Sequence, residues 1–202
     1  MQLFGPEVGV HGELTMQNHW RFEGEMLFGK QRYDSVGSGS MDNVGNIHSY
    51  WRALTPVWGD MQQGVWTGLA YHTLWNDLRG TSTYQGTTYG GYQRIANQLW
   101  IPARVHFTPT WQLDAGVLLY GRHTSKLSEV NTTYSDVTNT QRSGHYTQIS
   151  AKIALDAGHT LMPYVRYTHL ADSNSVVMAN RSWYEPASNR WQIGVNWDFG
   201  GL

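Results

Sequence analysis

Trp20-Arg21-Phe22-Glu23-Gly24-Glu25-Met26-Leu27-Phe28 places Trp20, Phe22, Gly24, Met26 and Phe28 on one face of an extended chain and Arg21, Glu23 and Glu25 on the other. A helix would scatter both sets around its circumference, so the period of two predicts a strand. The pattern recurs. Trp111, Leu113, Ala115, Val117 and Leu119 oppose Gln112, Asp114 and Gly116; Ile149, Ala151, Ile153 and Leu155 oppose Ser150 and Lys152. Near the C-terminus, Trp191, Ile193, Val195, Trp197 and Phe199 oppose Arg190, Gln192, Asn196 and Asp198. Nine such segments are countable, at 7–16, 20–33, 47–58, 64–76, 92–107, 111–123, 145–155, 160–170 and 184–199. Many exceed the five or six residues typical of soluble strands and match the roughly nine to eleven that cross a bilayer at a tilt.

Short turns are expected at 17–19, 59–63, 108–110 and 156–159, alternating with long polar loops at 34–46, 77–91, 124–144 and 171–183. Outer-membrane barrels show this alternation, with tight turns on the periplasmic side and longer loops outside. Gly37-Ser38-Gly39-Ser40 in the first long connection reads either as a natural loop or as an inserted linker. Aromatics gather toward both ends of the segments. Trp20, Trp58, Phe107, Trp111, Trp197 and Phe199 lie near the short turns; Tyr33, Tyr50, Trp51, Trp75, Tyr92, Tyr146, Trp183 and Tyr184 lie near the long loops. Two such belts are the expected girdles of a lipid-facing surface. Pro56, Pro102 and Pro163 fall inside segments and are expected at bulges or strand ends.

Composition supports the same class. The 202 residues hold 14 Lys and Arg against 15 Asp and Glu, which argues against a nucleic-acid partner. The ten Trp and twelve Tyr sit in a chain without cysteine, so neither a disulfide scaffold nor a thiolate metal site is available. Nowhere do apolar residues run to the eighteen or so that a membrane helix needs. Met1-Gln2-Leu3-Phe4-Gly5 has neither the basic nor the apolar region of a secretory leader, and reads as the start of a mature or engineered form.

The expected fold is therefore all-β: a single antiparallel up-and-down transmembrane β-barrel over residues 1–202, of about eight to ten strands. The rival is a soluble barrel or sandwich with its apolar face inward. Nine strands cannot close antiparallel. The first and last segments both head for the short-turn end, and bacterial single-chain barrels are even-numbered. A tenth strand is expected, from sequence upstream of Gln2 or from a second polypeptide; the alternatives are a miscounted segment or a stub in which Met1–Pro6 folds back.

A resemblance adds to this. Trp66-Thr67-Gly68-Leu69-Ala70-Tyr71, Asn76-Asp77-Leu78-Arg79-Gly80, Tyr92-Gln93-Arg94 and Leu99-Trp100-Ile101-Pro102 are similar to segments of the broad group of proteobacterial outer-membrane β-barrel proteins, the small porin-like and OmpA-like barrels. Gly5-Pro6-Glu7-Val8-Gly9-Val10-His11-Gly12 and Trp183-Tyr184-Glu185-Pro186 resemble that group too. The resemblance implies a fold and a location, the outer membrane with its lipid and lipopolysaccharide. It brings no catalytic residue.

If apolar faces meet lipid, the opposite faces line an interior holding His11, Glu13, Arg21, Glu23, Glu25, Arg52, Arg104, Asp114, Lys152, Arg166 and Arg190, with His72, His106, Arg122 and Asp198 on the same faces. Charges there must pair, which predicts a salt-bridged plug; a narrow polar channel is the sharper alternative. Pairing Thr15 with Arg21 sets Glu13 opposite Glu23 and His11 opposite Glu25. Facing carboxylates need a shared proton or a cation between them, and a bridge through Arg52 or Arg190 is the simplest. An outer-membrane hydrolase would need a nucleophile and base near the outer rim. His72, Asp77, His123, Ser125, His169 and Asp172 are the residues available, without a compact motif. Nine histidines show no His-x-His or His-x-x-x-His spacing, so no metal or other cofactor is expected. The long external loops, 124–144 above all, are the expected surface for recognition.

Overall fold

Alternating side chains of this kind need one partner strand on each side, and the chain provides them in sequence order. The computed structural model describes residues 2–16, 20–35, 39–59, 63–79, 81–84, 87–130, 132–155, 159–178 and 181–198. Its long strands are β1 (Glu7–Met16), β2 (Trp20–Ser35), β3 (Gly39–Gly59), β4 (Gly64–Asp77), β5 (Gln93–His106), β6 (Trp111–Ser125), β7 (Gly144–Ala151, continued by Ile153–Ala154), β8 (Thr160–Leu170) and β9 (Ser188–Asp198). Each pairs antiparallel with its successor, from β1·β2 to β8·β9. The result is one up-and-down antiparallel sheet. Gln2–Phe4 continues the β1 edge against β2, pairing Leu3 with Tyr33.

The sheet curls. Arg104 on β5 reaches Glu23 on β2, Arg166 on β8 reaches Glu25 on β2, and Arg190 on β9 reaches Glu7 on β1. These contacts cross the concave side between strands that share no ladder. Among the described residues, no backbone ladder joins β1 to β9.

Register follows from the turns. In the first hairpin Thr15 pairs with Arg21, Glu13 with Glu23 and His11 with Glu25. Of the expected short turns, 108–110 connects β5 to β6, while 17–19 and most of 59–63 and 156–159 lie outside the described residues. The expected loop over 34–46 is different: β2 and β3 run on through it, pairing Tyr33 with Met41 and Asp34 with Ser40. Between Gln31 and Tyr33 the register shifts, and Asn43 takes a positive φ of 63°. This is a bulge that lets the extended hairpin twist, with asparagine in the left-handed conformation it tolerates better than most residues. The other long connections also carry structure. Thr81–Tyr84 pairs with Thr87–Gly90, Leu127–Glu129 is a 3-10 turn, Val137–Gln141 pairs with the end of β6, and Val176–Met178 pairs with Arg181–Trp183.

Two prolines coincide with ladder breaks that their missing N–H explains. Beside Pro56 the β3·β4 register shifts by one residue at Val57. At Pro163 the ladder from β8 lapses between Ser150↔Tyr164 and Ile153↔Leu161, which splits β7 in two. Pro102 lies in a gap of the β4·β5 ladder, between Thr67↔Ala103 and Ala70↔Trp100.

The two faces of the sheet are chemically inverted relative to a water-soluble fold. The convex side exposes Val10 (68 %), Trp191 (68 %) and Ile193 (84 %), together with Val8, Leu14, Phe22, Leu69, Val117, Ile149 and Val195. The concave side buries Glu23, Glu25, Arg104, Asp114, Gln148 and Arg166. Among the described residues, no helix is long and apolar enough to cross a membrane.

Candidate functional site: the charged interior

The concave face is built from directly opposed residues. Glu23 faces Arg52 across β2·β3, and Arg104 faces Asp114 across β5·β6. Curling then joins the two pairs. Glu23 receives Arg52 Nη2 at 2.8 Å and Arg104 Nη2 at 3.0 Å, and Arg104 Nη1 touches its other oxygen. Arg21 Nε lies 2.9 Å from Glu23 at ion-pair distance, though off the line of a hydrogen bond. Asp114 accepts from Arg104 Nε at 2.6 Å and Gln112 Nε2 at 2.6 Å, with Arg52 Nη1 3.5 Å away. Arg21 also pairs with Glu13. The facing carboxylates Glu13 and Glu23 are therefore held together by a cation, and that cation is Arg21.

A second group lies toward the long-loop end. Arg166 Nη2 donates to Glu25 Oε2 at 2.9 Å and its Nε to Gln148 Oε1 at 2.7 Å, while its guanidinium covers the Tyr50 ring at 4.5 Å. Beside it pack Ala70, Trp100, Leu118 and Tyr146, with Leu170 against them. The His72 ring meets Tyr50, Trp100 and Tyr146 at 4.4, 5.4 and 5.8 Å between centroids. Tyr50 and Tyr146 thus face inward and not into the expected girdle, because each shares the strand parity of Arg52 or Gln148. What space remains among Tyr50, Arg52, His72, Tyr146 and Arg166 is about 10 Å³, room for a single water-sized species.

Nearer the long-loop end Glu7 accepts from Arg190 Nη2 at 2.9 Å and from Gln31 Nε2 at 3.1 Å, and contacts Asn46. Arg94 donates to Glu185 at 3.1 Å and to Asn76 Oδ1 at 2.9 Å. Six guanidiniums, of Arg21, Arg52, Arg94, Arg104, Arg166 and Arg190, therefore meet six carboxylates, of Glu7, Glu13, Glu23, Glu25, Asp114 and Glu185. Burial of so many charges is sustainable only with this matching, because an unpartnered one costs several kcal/mol.

The remaining expected interior residues stand apart. His11 is on the concave side of β1 but exposed at the sheet edge. Lys152 is exposed in the break within β7, where its N–H donates to Thr110 O at 2.7 Å. Its alternation placed it inside; the interruption opposite Pro163 leaves it outside the network. Trp20, Trp58, Trp111 and Trp197 are all exposed at the short-turn end, and Phe199 lies outside the described residues. Glu7, Arg94 and Glu185 are network members beyond the expected set. Glu7 shares the parity of Glu13 and was readable that way, whereas Glu185 sits in a connection with no periodicity to mark it.

The residues weighed for hydrolysis hold separate partners. Ser125 Oγ donates to Glu185 at 3.2 Å, and His123 Nε2 pairs with Gln141 Oε1 at 2.8 Å. Asp77 binds Arg79 at 2.8 Å, Asp172 accepts from Ala187 N at 2.6 Å, and His169 contacts Asn189 at 2.9 Å on the convex face. Each is engaged in a structural bond. Among the described residues no cluster of three or more His, Cys, Asp or Glu offers a metal site. No protein-family profile matches the chain, and no curated protein sequence matches it.

Proposed function

We propose that this chain is an integral β-barrel of a Gram-negative outer membrane, with its convex face against lipid and lipopolysaccharide and its interior filled by the charge network. The observation that carries this is the inversion of the two faces: Ile193 is 84 % exposed while Arg104 is 2 % exposed. In water, leaving the convex residues exposed forfeits about 1.5–3 kcal/mol for each large aliphatic side chain that could have been buried. Against hydrocarbon the same surface is at home. A patch spread over nine strands far exceeds the few hundred Å² that soluble monomers expose. The resemblance to proteobacterial outer-membrane barrels agrees with this reading.

The barrel closes, in this reading, with a tenth strand between β9 and β1. Both of those strands run toward the short-turn end, so a strand running the other way pairs antiparallel with each. Unpaired edges facing lipid would cost several kcal/mol per orphaned backbone group. A longer form of the chain or a second polypeptide supplies it. The role is structural or one of surface recognition, with the connections over 78–92, 126–143 and 171–187 presented outward.

Ile193→Arg tests the lipid assignment. In a bilayer the substitution should cost up to about 2–4 kcal/mol in unfolding free energy, depending on depth. A change within about 0.5 kcal/mol, the usual cost at a water-exposed site, would count against it.

A further inference from the structure

We propose that the void between Tyr50, Arg52, His72, Tyr146 and Arg166 binds a single anion of halide size. Two observations point there independently. Arg166 is buried and spends Nε on Gln148 and Nη2 on Glu25, which leaves Nη1 buried without a partner. Tyr146 is likewise buried, and its Oη has no protein partner. Both residues line the same void. Two orphaned donors on one small space are costly unless something accepts from them.

The chemistry of the wall selects the ligand. Its five residues include two guanidiniums, two phenols and an imidazole, and no carboxylate. Of the carboxylates nearest in the network, Glu23 and Asp114 are engaged by Arg52 and Glu25 Oε2 by Arg166, while Glu25 Oε1 is buried without a partner and does not line the void. Arg52 and Arg166 bring two positive charges to the wall, which favours an anion over a neutral water even though Tyr50, Tyr146 and His72 can each accept a hydrogen bond. A monatomic anion needs only donors. A void of about 10 Å³ suits a monatomic ion better than a polyatomic oxyanion. The Arg166 guanidinium is fixed in place, because it stacks on Tyr50 at 4.5 Å and is tied on two other nitrogens. The site depends on the interior alone and not on what covers the convex face, so it stands or falls separately from the membrane assignment.

The test uses bromide with the full-length chain. Crystals grown in bromide should give an anomalous peak in contact with Arg166 Nη1 and Tyr146 Oη. At equal ionic strength, bromide should raise the thermal unfolding midpoint above its value in sulfate. Tyr146→Phe keeps the ring and its packing but removes one donor, and should weaken the bromide effect about tenfold. A water without anomalous signal at that position would overturn the proposal. So would an equal midpoint rise in the variant, which would mark a general salt effect.

Discussion

Arg104 on β5 donates through both terminal nitrogens to the two carboxylate oxygens of Glu23 on β2, with Nη2–Oε2 at 3.0 Å. Two strands, β3 and β4, lie between them in the sheet, so this contact spans the concave side and pins the curl. Glu23 collects three arginines, and removing its charge leaves Arg21 with Glu13 alone and Arg52 and Arg104 sharing the single charge of Asp114. Glu23→Gln should therefore destabilise the fold by about 3–5 kcal/mol, read by urea unfolding in detergent. The half-exposed pair Arg32–Asp42, at 3.5 Å, is the control. Arg32→Gln should change stability by less than about 1 kcal/mol.

Glycine makes room for rings on the neighbouring strand. A Cβ added to Gly116 would come within 2.3 Å of Tyr146 Cε1, its directly opposed partner. Gly116→Ala should push Tyr146 out of the interior layer and cost about 1–3 kcal/mol, as overpacking does. At Gly12 an added Cβ meets nothing within 4 Å. Gly12→Ala should be close to neutral in the same unfolding assay.

Much of this was legible because strand parity carries it. Glu23 and Arg52, or Arg104 and Asp114, each lie on the polar parity of their own segment, and pairing Thr15 with Arg21 sets Glu13 opposite Glu23. Tyr50 and Tyr146 carried the same signal, but aromatic character near a strand end outweighed parity in placing them at the girdle. The extension of β2 and β3 was hidden for a different reason. Residues 34–46 are rich in Ser, Gly and Asn, and their ladder rests on backbone pairing with few apolar side chains to mark its period. The pairing of Arg104 with Glu23 could not be read from either strand, because it depends on how far the whole sheet curls.

An interior packed this tightly should conduct poorly. With six guanidiniums matched to six carboxylates and about 10 Å³ left in the void beside Arg52 and Arg166, that stretch of the interior leaves little room for a hydrated ion. Planar-bilayer recordings of the refolded protein should show small or no currents. Steady, large unitary currents would show that the plug opens into a channel.

The connection after β6 carries a pH-sensitive clasp. Asp136 accepts from Lys126 Nζ at 2.7 Å and from Ser128 Oγ at 2.7 Å. Those hydrogen bonds, Lys126 first, hold its carboxyl below the usual carboxylate range. A depressed folded pKa means the clasp contributes fully above the unfolded carboxylate pKa and is lost as pH falls through the folded value. Amide exchange at Ser128 should therefore quicken, relative to a reference amide, in that acidic window. Asp136→Asn should abolish the pH dependence.

The central claim is that the exposed convex face is a lipid face, and folding in two solvents tests it most directly. Refolded with detergent or phospholipid vesicles, the chain should give a strong β signal by circular dichroism and migrate differently on gels before and after boiling. In detergent-free buffer it should aggregate, since Val10, Trp191, Ile193 and Val195 would all meet water. A monodisperse, folded monomer in buffer without detergent would contradict the account.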